Sequence, residues 1–136
     1  MSLPCVGTWD PYTVMLDLDD TPLEEAKQIA RTVMQRFDLE GFRIFESSPD
    51  NHHAVFNKPV RQLENIAIVA STVRANPDKP KLNAWFLRIC ERNHPILRNS
   101  WKGAKPPPLD VYNEGKQDRR IRRYLYYRNI VLNPQD

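Results

Sequence analysis

From Tyr12 to Leu18 the side chains alternate: Val14, Leu16 and Leu18 fall on one side, and Thr13, Met15, Asp17 and then Asp19 on the other. A period of two is that of a half-buried strand. At Thr21-Pro22-Leu23-Glu24 the pattern changes to a capping box with proline at the first helical position. Behind it Leu23, Ala26, Ile29, Ala30, Val33, Met34 and Phe37 recur at helical spacing. Gly41 restarts the chain into a strand over Phe42 to Glu46, Ser47-Ser48-Pro49-Asp50-Asn51 reads as a turn, and His52 to Asn57 predicts the second arm of a hairpin. A second helix is expected on the stripe Leu63, Ile66, Ala67, Ala70, Val73. A third follows the breaker Asn76-Pro77-Asp78-Lys79-Pro80, on Leu82, Trp85, Phe86 and Ile89, and ends before Pro95. Ile96 to Lys102 and Leu109 to Tyr112 complete the pattern as a last pair of strands around a proline-rich loop.

That order predicts an α+β chain: a ferredoxin-like split βαβ sandwich, with helices on one face of an antiparallel sheet and an open functional face. The chain has 136 residues, the size of one domain. Its net charge of +3 is unevenly placed. From Gly115 onward there are six basic and two acidic residues, so residues 1–114 are expected to form a near-neutral domain and 115–136 a basic C-terminal tail. No apolar stretch is long enough to cross a bilayer, and the N-terminus lacks a signal-peptide profile, so a cytoplasmic location without membrane partners is expected. Cys5 and Cys90 have no metal-ligand spacing around them and read as reduced thiols. The pattern leaves the oligomeric state open.

With Val14, Leu16 and Leu18 turned to the helices, Asp17 and Asp19 belong to the open face. Ala54 and Phe56 are the matching core residues of the third strand, which puts His53, Val55 and Asn57 on that same face. Leu109 and Val111 facing the helices would add Asp110 and Tyr112 to it, with Arg98 and Lys102 from the strand before. Carboxylates one strand apart are hard oxygen donors suited to Mg²⁺ or Mn²⁺ bridging to phosphate. Such clamps serve phosphoryl and nucleotidyl transfer.

A hydrophobic strand ending in DLD, an amphipathic helix and then FRIFESSPDNHHAVF resembles the catalytic core of the archaeo-eukaryotic primase superfamily, especially the primase-polymerase-like replication proteins of plasmids and viruses. The resemblance implies that Asp17 and Asp19 hold a divalent metal, and that His53, following the Ser47-Ser48 turn, contacts nucleotide phosphate. It makes Asp110 the third acidic residue, and it places Ser48, Arg98 and Lys102 near the nucleotide. The partners implied are a nucleoside triphosphate and DNA or RNA, and the activity is metal-dependent nucleotidyl transfer in replication of a mobile element. A non-catalytic RNA- or DNA-binding module on the same fold is the alternative. LDLDDT also resembles the opening of haloacid dehalogenase-type phosphotransferases, in which the first Asp is the nucleophile, but no later acidic motif follows. In the tail, Arg119, Arg120, Arg122 and Arg123 interleave with Tyr124, a composition suited to phosphates and bases of a single strand. The bland alternative is a helix or edge strand that covers the core and leaves its arginines in water.

Overall fold

The computed structural model describes residues 7–92, 95–100 and 102–133; Cys5 and part of the expected Ile96–Lys102 strand lie outside them. The elements run β1 Gly7–Trp9, β2 Met15–Leu18, α1 Leu23–Phe37, β3 Gly41–Ser48, β4 Asn51–Phe56, α2 Gln62–Ala75, α3 Pro80–Arg92, β5 Ile96–Arg98, β6 Leu109–Gly115 and α4 Arg120–Leu132. Four strands form one antiparallel sheet in the order β2-β4-β3-β6, and the chain is an α+β sandwich of the ferredoxin-like kind. The strands β2 and β4 are neighbours, as a split βαβ arrangement requires. The last strand joins at β3, which leaves β2 on an edge. The Trp85 indole of α3 covers that edge and donates to the Met15 carbonyl at 3.4 Å.

Alternation on β2 works as the sequence indicates. Leu16 pairs with Ala54, which pairs with Ile44, and all three are buried on the face covered by α1. The next row, Asp17–His53–Phe45, points the other way. The hairpin β3–β4 turns through Pro49-Asp50, with Asp50 in the left-handed region at φ 62°.

Four details correct the sequence reading. The expected capping box at α1 does not form: Pro22 is the N-cap, and the Thr21 hydroxyl donates instead to the Asp19 carbonyl at 3.0 Å. On α2 the buried residues are Asn65, Ile68, Val69 and Thr72, while Leu63 is 81% exposed. The helix is turned this way because the Asn65 amide donates to the Pro11 and Thr13 carbonyls, each at 2.9 Å, satisfying loop groups that would otherwise be buried unpaired. The strands β5 and β6 are not partners; β5 pairs with β1, a strand the sequence pattern did not mark. A register shift between β3 and β6 places Tyr112 opposite Ile44, on the α1 side, although Asp110 stands opposite Phe45 on the other. One extra residue in a strand reverses its parity, so Tyr112 leaves the face expected for it.

The basic segment after Gly115 does not hang free. It forms α4, whose Ile121 and Tyr124 are buried and whose Tyr124 ring sits 5.4 Å from that of Phe45. The second face of the sheet is therefore covered along Met15, Val55 and Phe45, while its Asp17–His53 end opens into a cleft and Asp110 is exposed at the opposite edge. Asn57, fully buried, fixes the start of α4: its amide nitrogen donates to Glu40 and Asp118 at 3.2 and 3.1 Å, and its side-chain oxygen accepts from the Arg119 N–H at 2.9 Å. Among the described residues no helix is long and apolar enough to cross a membrane.

These contacts give opposite expectations for two apolar side chains. Ile121→Ala should lower stability by about 2–5 kcal/mol, as large-to-small changes in a closed core do. Leu63→Ala should stay within about 0.5 kcal/mol of wild type. Urea denaturation of the two variants checks both, and an Ile121→Ala variant as stable as wild type would detach α4 from the core.

Candidate phosphate-binding site

The two carboxylates that interrupt the first apolar run open into a cleft of about 320 Å³. Its floor is Asp17 and Asp19 at the end of β2, with His53 beside them on β4 and Ser47 from β3. His53 is directly across the strand pair from Asp17, its Nε2 4.0 Å from the Asp17 carboxylate. One wall is α3, which contributes Trp85, Arg88 and Arg92. The other is the β1–β5 ribbon and the loop after it, with Arg98, Lys102 and Lys105. Five cations from three parts of the chain thus surround two carboxylates.

Electrostatics at the floor are unusual for the residue types. Burial, then the neighbouring charge of Asp19 and a hydrogen bond shared with it, push the Asp17 carboxyl up to about 7; Arg88 and Lys105 only partly oppose this. His53 moves the other way, down to about 4, chiefly because burial disfavours the imidazolium. Among the described residues, four buried polar atoms on this cleft have no hydrogen-bond partner: Asp17 Oδ1, His53 Nδ1, Arg92 Nε and Arg98 Nη2. An unsatisfied buried polar group costs about 1–3 kcal/mol, so a concentration of them at one place marks a site built for something else to complete.

Asp110 does not belong to this group. It lies in the same row, Asp17–His53–Phe45–Asp110, but three strand spacings away, about 14 Å. Arg43 holds it there through hydrogen bonds of 2.9 and 2.5 Å. Ser48 is also elsewhere: its hydroxyl accepts from the Asn51 amide at 2.8 Å within the hairpin turn, and Ser47 lines the cleft instead. In α4, Arg119 pairs with Glu40 at 3.1 Å, while Arg120 and Arg123 both reach Asp10. Tyr124 is buried and donates its hydroxyl hydrogen to Asn99 at 2.9 Å. Arg122 is exposed. Arg98 and Lys102 do line the cleft, the Arg98 guanidinium being steadied by the Ser100 and Pro106 carbonyls.

The sequence reading missed Arg88, Arg92 and Lys105. A signal for the first two was present: they are four residues apart on one helix face, on the same helix as the buried Trp85 and Ile89.

As for metal, no group of three or more His, Cys, Asp and Glu side chains among the described residues is placed to hold an ion unaided. The Asp17–Asp19 pair nonetheless fits a Mg²⁺-like ion, which commonly takes one or two carboxylates and draws its other ligands from water and phosphate. Asp17 Oδ1 has no hydrogen bond among the described residues to give up. Comparison of the chain with protein-family models, with curated proteins and with solved structures finds no match.

The two displaced titrations act on stability in opposite directions. Between pH 4 and 7 the folded chain keeps a proton on Asp17 that the unfolded chain has lost, so this group makes stability fall as pH rises. Between pH 4 and 6.5 the unfolded chain holds a proton on His53 that the folded chain lacks, so this group makes stability rise. The wild type should show the two nearly offset over that range. Asp17→Asn should gain stability from pH 4.5 to 6, and His53→Gln should lose it, each by at most about 1.4 kcal/mol per pH unit. Urea midpoints at three pH values read the slopes; equal slopes in the two variants would remove the opposed titrations.

Proposed function

We propose that this chain is a primase-like, cytoplasmic protein of mobile-element DNA replication whose Asp17–Asp19–His53 cleft binds a nucleoside triphosphate together with a divalent ion. One observation carries the reading. Two carboxylates and a neutral imidazole on the sheet are surrounded by cations from α3, β5 and the loop after it, with unpaired buried atoms on both walls. A metal-bound polyanion suits that arrangement, since its ion meets the carboxylates and its oxygens meet the guanidinium groups. When bound, the ion would neutralise phosphate charge and polarise the phosphorus under attack. Asp17 and Asp19 would hold it, the His53 Nδ1–H would donate to a phosphate oxygen, and Arg98 and Lys102 would orient the chain of phosphates.

A binding role without nucleotidyl transfer is the second reading, and a specific observation favours it. Asp110 is held by Arg43 at a distance of three strands, so two carboxylates, not three, are available for metal. The open-sheet version of nucleic-acid binding has less support, because α4 covers the middle of that face. Contacts to DNA or RNA fall instead to the outer side of α4, where Arg122 and Tyr126 are exposed. The phosphatase alternative has less support, because no later acidic motif follows LDLDDT in the sequence.

Melting curves test the metal clamp. Wild type with millimolar Mn²⁺ and a nucleoside triphosphate should be stabilised, by about 2.7 kcal/mol when the ligand is a hundredfold above its Kd. Changing Asp17 and Asp19 together to Asn should abolish the Mn²⁺-dependent part while the apo protein stays folded. A wild type indifferent to Mn²⁺ and nucleotide would sink the proposal.

For nucleic acid, the measurement is a salt titration of single-strand binding. Arg122→Ala should reduce the slope of log K against log salt by about 0.7, the share of one phosphate contact on a single strand. Cutting the chain before Asp118 cannot serve as the test, since it removes core residues with the charge. An unchanged slope would take Arg122 out of the interface.

A further inference from the structure

The floor of the cleft accounts for the ion and one phosphate, but the unpaired groups extend beyond it. Arg92 Nε belongs to α3 and Arg98 Nη2 to β5, on opposite walls, and both are buried without partners. Arg88 stands one turn before Arg92 on the same helix, and Lys102 and Lys105 project from the loop that closes the other side. Lys102 and Lys105 are bound to each other through their backbones, Lys102 N–H to the Lys105 carbonyl at 2.9 Å and the reverse at 3.0 Å, which holds both on one tight turn. Charge on the two walls exceeds that of the floor by three when both carboxylates are ionised. A single phosphate carries about two negative charges, which a divalent ion alone would neutralise, and so leaves the five wall cations unmatched. A chain of phosphates can match them.

We propose that what this cleft recognises is the polyphosphate chain itself, spanning from the Asp17–Asp19 floor to an α3 clamp of Arg88 and Arg92, so that the nucleoside contributes little to binding. This rests on the reading of the cleft as a triphosphate site and names the part of the ligand that is read. The consequence is a ligand class wider than nucleotides: linear inorganic polyphosphates of about three units, and any organic triphosphate with an unhindered end. Arginine pairs are suited to this because each guanidinium offers parallel N–H donors to two phosphate oxygens. Selection among bases would then have to come from outside the cleft.

The test is calorimetric titration of the full chain, in Mg²⁺, with inorganic tripolyphosphate, pyrophosphate, ATP and adenosine. Tripolyphosphate should bind within about threefold of ATP, pyrophosphate about tenfold more weakly, and adenosine not measurably. Arg88→Ala, at an exposed position, should keep the wild-type melting temperature in the absence of ligand and weaken tripolyphosphate and ATP alike by about tenfold. If ATP binds and tripolyphosphate does not, the nucleoside is being read and this inference falls while the triphosphate site stands. Failure of both to bind would overturn the site as well. Arg88→Ala binding as tightly as wild type would remove the α3 clamp.

Discussion

The pairing of β2 with β4 is the constraint on which both halves of the molecule depend. Setting Leu16 against Ala54 commits Leu16, Ala54 and Ile44 to the face under α1, and the same register sets Asp17 against His53 on the reverse. A slip by one residue would put both carboxylates into the helix-covered core and turn the leucines out, so core and cleft are specified together. The pairing is reinforced at its end. Thr21 donates its N–H to the Asp50 carbonyl at 2.8 Å, and His52 Nδ1 donates to the Thr21 carbonyl at 2.7 Å, while its Nε2 lies 3.2 Å from Glu46. The adjacent histidines thus have separate uses: His52 ties the strand end to the hairpin, and His53 faces the cleft.

Elements with a single dominant period were legible from sequence. The stripe of α1, the alternation of β2 and the hairpin over β3 and β4 all appear at the expected places, within a few residues. Where the reading failed, a polar group had taken an inward place or a strand had broken its parity. Asn65 occupies the buried side of α2 because loop carbonyls there need donors, and Thr72 joins it by bonding its hydroxyl back to the Ile68 carbonyl of its own helix; no hydrophobicity pattern encodes either. Tyr112 changed sides through a register shift, which alternation alone cannot foresee. The three residues of β1 are too few to show a period at all.

The cleft was half legible for a related reason. Asp17, Asp19 and His53 share a sheet row or its continuation, so strand parity was enough to bring them together. Arg88 and Arg92 arrive from α3, placed by how that helix crosses the edge of β2, and Lys105 from a loop turn bonded to Lys102. Asp110 shows the limit of the same logic: parity put it on the correct face, but only strand order could say how far along that face it lies. The site also explains why the fold accepts carboxylates and arginines with unpaired buried atoms. Several such groups in one place lower stability in the free protein, and a ligand that bound the folded state alone would offset that cost.

The position of α4 in the chain bears on how the protein is made. Met15, Val55 and Phe45 precede by more than sixty residues the helix lying over them, residues 120–132. During translation β2, β3 and β4 can pair well before β6 and α4 are made, and an apolar surface with β2 at its edge is then exposed to other chains. The Asn57 side chain, which bonds both Asp118 and the Arg119 N–H once the helix is in place, is the point at which the late segment is captured. Docking of α4, more than any step within the sheet, is what closes that surface.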